Sequence, residues 1–210
     1  MKTFANIISY VFHPLLMATY GCLLVFFGLT DTIYAVFTPL RVKLLITATV
    51  FAFTFLLPLL NLLILYKLGY ISSLKIEDRR ERTFPMLMTA LCYIGLFYMI
   101  YDFNIWPAIK IFVLGAGVCI ALGAVISTRW QISAHAIGVG GLLGAMLAIS
   151  YFVQVPMFMV LSAIILLSGI IGFSRLALQA HTPSQVYAGF IMGCVVQFML
   201  FFAAQIVTFV

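Results

Sequence analysis

The chain has 210 residues, 65% of them hydrophobic and 8% charged, and carries a formal net charge of +6. Its mean hydropathy of +1.24 excludes a soluble globular domain and places the protein in a membrane. In such a chain the surplus of 11 Lys and Arg over 5 acids marks interfacial anchors and anionic headgroup contacts rather than nucleic acid.

A helix needs about 17 to 25 apolar residues to cross about 30 Å of hydrocarbon. Seven runs meet that need: 7–29, 43–66, 85–101, 106–127, 136–153, 156–173 and 184–207. The first follows only Lys2 and lacks a clean small-x-small cleavage site, so it is expected to be a retained helix and not a signal peptide. The first or the third run could lie partly at the interface. The expected fold is therefore an all-α, polytopic transmembrane helical bundle of six to seven spanning helices, a single integral-membrane domain over residues 1–210. No linker or internal repeat divides it. Cys22, Cys92, Cys119 and Cys194 each fall within an apolar run without a short Cys spacing, which fits packing and neither a disulfide framework nor a metal site.

With seven crossings the connections alternate between two membrane faces. One face receives the N-terminus, 67–84, 128–135 and 174–183, and with them Lys75, Glu77, Asp78, Arg79, Arg80, Glu81, Arg82, Arg129, His135, Arg175 and His181. The other keeps Asp31, Arg41, Lys43, Asp102 and Lys110. Each member of the first set has a plain reading of its own. The stretch 75–82, "KIEDRRER", suits an amphipathic interfacial helix laced with salt bridges; His135 suits a hydrogen-bonded helix terminus, and Arg175 a snorkelling anchor. Charge near hydrocarbon is costly, however, and a one-sided cluster drawn from three loops points to a shared purpose.

Two histidines among fixed cations suit phosphoryl transfer, where catalysis rests on positioning and on stabilising charge spread over three equatorial oxygens. One neutral imidazole can attack phosphorus while the other, protonated, donates to the leaving oxygen. In "HTPSQ" (181–185), Thr182 occupies an N-cap and Pro183 a first helical position, so His181 lies just before a helix N-terminus, a ready phosphate site. In "ISAHAIGVGG" (132–141), Ser133 takes the cap position and His135 the first turn. The helix dipoles favour a neutral nucleophile at His181; for an acid at His135, bound phosphate has to oppose that effect.

These residues resemble the type 2 phosphatidate phosphatase superfamily, histidine phosphatases related to the vanadium haloperoxidases. The family's motifs are Lys, six residues, Arg-Pro; then Pro-Ser-Gly-His; then Ser-Arg, five residues, His, three residues, Asp. Here they read Lys75, six residues, Arg82-Thr83; Ile132-Ser133-Ala134-His135; and Ser174-Arg175, five residues, His181, three residues, Gln185. The match covers 75–185, about half the chain, and its third motif is the specific one. The resemblance implies that Lys75, Arg82 and Arg175 bind phosphate with help from Ser133 and Ser174, that His181 is the nucleophile and that His135 is the acid. It implies a metal-independent phosphatase without cofactor, acting on a lipid phosphate in the bilayer of a bacterial cytoplasmic membrane.

The departures carry chemistry. Gln185 stands where the family has an aspartate; its carbonyl can fix the His181 tautomer but cannot stabilise an imidazolium as a charge would. An aspartate-to-amide change in a serine protease triad costs roughly 10⁴ in rate. Thr182 to Gln185 also fits a capping box in which Gln185 reaches back to the Thr182 N–H, and the two roles stand side by side. Gly138, Gly140, Gly141 and Gly144, with Gly189 and Gly193, form small-xxx-small faces that suit close helix approach, whether for the site or for general packing. A non-catalytic lipid-phosphate-binding or transport protein, and a phosphotransferase to an acceptor other than water, share the same residues. Lys2, Lys67, Arg79, Arg80 and Arg129 on the motif face, against Arg41, Lys43 and Lys110 opposite, lean towards a cytoplasmic site. Many bacterial members of the family work on the outer leaflet, so both orientations stay open.

Overall fold

The computed structural model describes residues 1–28, 32–74, 76 and 79–208. Lys75, Glu77, Asp78 and Asp31 lie outside the described residues. Among the described residues there is no strand, and seven helical runs are long and apolar enough to cross a membrane: Lys2–Gly28, Leu40–Lys67, Arg80–Ile100, Pro107–Ser127, Ala134–Val153, Phe158–Ala177 and Pro183–Ala204. The molecule is an all-α polytopic bundle. Its elements are α1 (Lys2–Val11), a 3₁₀ turn (Pro14–Leu16), α2 (Met17–Leu23) running into a π turn (Leu24–Gly28), and the short α3 (Ile33–Phe37). After them come α4 (Leu40–Phe51), a second π turn (Ala52–Leu56), α5 (Leu57–Lys67), α6 (Arg79–Ile100), α7 (Pro107–Ser127), α8 (Ala134–Val153), α9 (Phe158–Ala177) and α10 (Pro183–Thr208).

The first run, expected as one helix over 7–29, is instead broken between α1 and α2. Pro14 is the cause. The residue before a proline is driven from helical to extended backbone, and His13 sits at φ −62, ψ 139. Tyr20 Oη donates to the Val11 carbonyl at 2.7 Å, beside the break. Two charged residues expected in loops are helical: Arg82 lies in the first turns of α6 and Arg175 in the last turn of α9.

The turn after α9 brings the third motif together. The Ala180 N–H returns to the Arg175 carbonyl at 3.1 Å and the Gln179 N–H to the Leu176 carbonyl at 2.9 Å, with Gln179 left-handed at φ 54. This is the Schellman arrangement, here with a non-glycine residue at the left-handed position. It reverses the chain within five residues, so His181 returns to the level of Arg175.

Helices α8 and α10 pack backbone to backbone. A methyl on Gly140 would overlap the Phe190 carbonyl, one on Gly144 the Cys194 carbonyl, and one on Gly193 the Ile137 carbonyl. At the end of the same seam the Ser133 N–H donates to the Gln185 carbonyl at 3.3 Å. The glycine faces therefore hold the N-termini of α8 and α10, with His135 and His181, side by side. Residues such as Met17, Tyr93, Leu96, Val113, Val139, Met146 and Phe201 form the main buried cluster beneath them.

Candidate functional site

All three histidines of the chain line one cavity. His13 comes from the break before α2, His135 from the first turn of α8 and His181 from the turn before α10; Arg82 of α6 and Arg175 of α9 complete its polar end. The cavity holds about 200 Å³, and no Asp or Glu is among its described lining residues.

His181 is held through Nδ1, which lies 3.2 Å from the Gln131 carbonyl and 3.3 Å from Gln185 Oε1. The orientation of the Gln185 amide follows from its third neighbour: the Thr182 N–H donates to the same Oε1 at 3.1 Å. Both neighbours of Nδ1 are therefore acceptors, so Nδ1 carries the proton and Nε2 keeps a free lone pair. Gln185 performs both roles expected of it, tautomer anchor and capping-box partner. Burial, then the Arg82 and Arg175 guanidiniums, push the His181 imidazole down to about 4, against the opposing hydrogen bonds to Gln185 and Gln131. At neutral pH it is uncharged, with the Nε2 lone pair available.

His135 is engaged through Nε2, 3.1 Å from the Ser9 carbonyl, so that nitrogen carries its proton and Nδ1 remains. Ser9 has a second task, as its Oγ accepts from Arg175 Nη1 at 3.0 Å. One residue of α1 thus ties the cation of α9 to the imidazole of α8. The buried Arg175 Nε has no partner among the described residues. A guanidinium with an unused, buried donor is costly unless an anion completes it.

No family model, curated protein or solved structure matches the chain. What the site can do rests on its own geometry.

That geometry unites Arg82, Arg175, His135, His181 and Gln185, and leaves Ser133 and Ser174 off the cavity lining. Ser133 is buried and caps α8, its Oγ accepting the Ala136 N–H at 3.4 Å. Ser174 is buried and its Oγ donates to the Ile170 carbonyl at 2.8 Å within its own helix. Neither lines the cavity, because free backbone groups at helix termini and last turns claim short hydroxyls first. Lys75 lies outside the described residues.

His13 is the addition. Its Nδ1 accepts the Leu15 N–H at 3.3 Å, leaving Nε2–H as a neutral donor, and its ring stands edge-on to His135 with centroids 5.9 Å apart. A histidine followed by proline inside an apolar run was the available signal, since such a pair breaks the helix and frees the imidazole from its lipid-facing or packed position.

Proposed function

We propose that the protein is a multi-pass membrane phosphatase that hydrolyses a phosphate monoester or diphosphate of a phospholipid or polyprenyl carrier, in a bacterial cytoplasmic membrane, through a phosphohistidine at His181. One observation carries the reading: a chain with 65% hydrophobic residues gathers every one of its histidines and two arginines around one cavity whose described lining lacks a carboxylate. Such a lining suits a multiply charged anion. The order of the residues along the chain, and their likeness to the type 2 phosphatidate phosphatase motifs, supports phosphate in particular.

In this reading Arg82 and Arg175 clamp the non-bridging oxygens, with Lys75 joining them by the sequence likeness and the His13 Nε2–H donating alongside. His181 Nε2 forms a bond to phosphorus as the bond from phosphorus to the lipid oxygen breaks. His135, neutral with its Nε2–H on Ser9, relays a proton through Nδ1 from the bound phosphate monoanion to that oxygen. Water then attacks phosphorus, giving up a proton through His135 Nδ1 to the departing phosphate, the P–N bond breaks, and inorganic phosphate leaves with His181 restored. The steps call on the chain's own groups, without a metal or cofactor. A second reading, a lipid-phosphate-binding protein without turnover, is favoured by Gln185, whose amide lacks the charge that would stabilise a His181 imidazolium.

The test is phosphate release by detergent-purified protein from phosphatidate, lysophosphatidate and a polyprenyl diphosphate, beside His181→Ala. The proposal expects release with an acid-labile, alkali-stable label on the wild type, and a loss of at least about 10⁴-fold in the variant. Saturable binding of the same lipids with no release, while a control phosphatase is active, would establish the second reading instead.

A further inference from the structure

The cavity does not end at its charged rim. Along α6 its lining residues are Arg82, Pro85, Met86, Thr89 and Tyr93, a spacing of three and four that keeps one helical face against the space. From Arg82 to Tyr93 that face descends roughly 16 Å into the bundle. Across from it, α7 contributes Phe112, Ala116 and Ile120 and α8 contributes Ile137, Gly141 and Leu142, all apolar. Below Arg82 and the histidines no charged residue lines it among the described residues.

The few polar groups on this lower wall are largely engaged. Thr89 Oγ1 donates to the Pro85 carbonyl at 2.9 Å, and Gln197 Nε2 to the Phe112 carbonyl at 3.1 Å. Gln197 Oε1 packs against Gly115 and is buried without a hydrogen-bond partner among the described residues. That one acceptor apart, the lower wall offers a guest apolar surface. It is an apolar shaft under an anion-binding rim.

We infer that the phosphorylated ligand is a single-chain amphiphile whose hydrocarbon tail is held inside the bundle, in this shaft, and not in the surrounding lipid. The inference rests on the anion site proposed above and narrows its substrate. A cavity of about 200 Å³ takes part of one hydrocarbon chain and is too small for two. Depth agrees as well: the rim lies where the helices end, at headgroup level, and the shaft runs along them into hydrocarbon depth. A lipid phosphate enters it with its polar and apolar ends each kept at their own level, so no charge is carried into the membrane. A small hydrophilic phosphate ester would leave the apolar shaft unfilled, and burying the tail there supplies affinity in proportion to chain length.

The experiment compares kcat/KM for hexadecyl phosphate, butyl phosphate and a diacyl phosphatidate in detergent, using wild type, Ala116→Phe and Ala116→Leu. A preference for the hexadecyl ester of at least about tenfold over both others is expected, lost in Ala116→Phe and reduced in Ala116→Leu. A cooperative thermal unfolding transition like that of wild type shows that the variants fold. Equal rates on the diacyl lipid, or variants that leave the chain-length preference intact, would overturn the inference. Should no ester be turned over by the wild type, the phosphatase reading fails alone, and equilibrium binding of labelled hexadecyl phosphate decides the shaft. Weaker binding in Ala116→Phe than in wild type supports it, and equal binding rejects it.

Discussion

Both ends of the bundle place cations beside hydrocarbon, but they dispose of the charge differently. On the end opposite the cavity, Lys43 Nζ donates to the Phe26 carbonyl at 3.4 Å and lies 5.5 Å from the Phe27 ring centroid. Lys110 Nζ donates to the Tyr101 carbonyl and lies 5.9 Å from that residue's ring centroid. Carbonyls at helix ends carry partial negative charge, and aromatic faces add to it, so each ammonium is answered locally. At the other end Arg175 spends one N–H on Ser9, leaves Nε without a partner among the described residues, and shares its cavity with Arg82 and three imidazoles. The number of cations at an end is thus a poor guide to function. What separates the two ends is convergence on common space whose described lining holds no counter-charge.

The comparison is most exposed at Arg175. Arg175→Met, which keeps the length and removes the charge, is expected to lower kcat/KM for the preferred lipid phosphate by about 10² to 10³, the scale of losing one group aimed at transition-state charge. A loss of a few-fold in steady-state kinetics would return Arg175 to the company of the snorkelling anchors.

A smaller effect is expected at Gln185. Gln185→Glu retains the reach to both His181 Nδ1 and the Thr182 N–H while adding the missing charge, and a gain in kcat of about tenfold is expected. The pH dependence sharpens the point. With His181 pushed down to about 4, wild-type phosphoenzyme formation should hold level from pH 7 to about 5 and fail towards 4. In Gln185→Glu the fall should begin at higher pH, because the carboxylate favours the imidazolium. Stability has the matching sign. The folded value lies below the ordinary one near 6.5, so the contribution is complete above about pH 6.5 and is lost as pH falls towards 4. Rapid-quench rates and thermal unfolding across that window measure both, and a wild-type rate already halved at pH 6.5 would refute the buried, neutral nucleophile.

The smallest effect belongs to the other end. Lys110→Gln removes a charge answered by a carbonyl and a ring, and should leave kcat/KM within about twofold while lowering stability by about 0.5 to 1 kcal/mol. A larger loss of activity would erase the distinction between the two ends.

Much of this was legible before any coordinates. The membrane bundle, the number of its spanning runs and the grouping of His135, Arg175 and His181 on one face follow from apolar run length and alternation, which need only sequence distance. The glycine faces of α8 and α10 were legible too, because helical periodicity aligns residues four apart. Gln185 was seen as either tautomer anchor or capping residue; it is both, since one carbonyl oxygen has two lone pairs. Three things stayed hidden. The hydroxyl of Ser174 goes to local backbone, a competition that motif spacing does not display. The proline that frees His13 interrupts an otherwise apolar run, whose length by itself reads as one helix. The Gln131 and Ser9 carbonyls that orient His181 and His135 belong to backbone, on which residue type is silent.

The sequence by itself determined that this chain lives in a membrane as helices and which of its polar residues are costly enough to need a reason, because hydrocarbon penalises every unpaired polar group in the same way. Tertiary structure alone decided that α1 lends Ser9 and that the helix break lends His13 to a centre more than a hundred residues away. It also decided that the centre opens onto an apolar shaft, because convergence in space and the volume left between helices depend on how faces meet, which no linear pattern records.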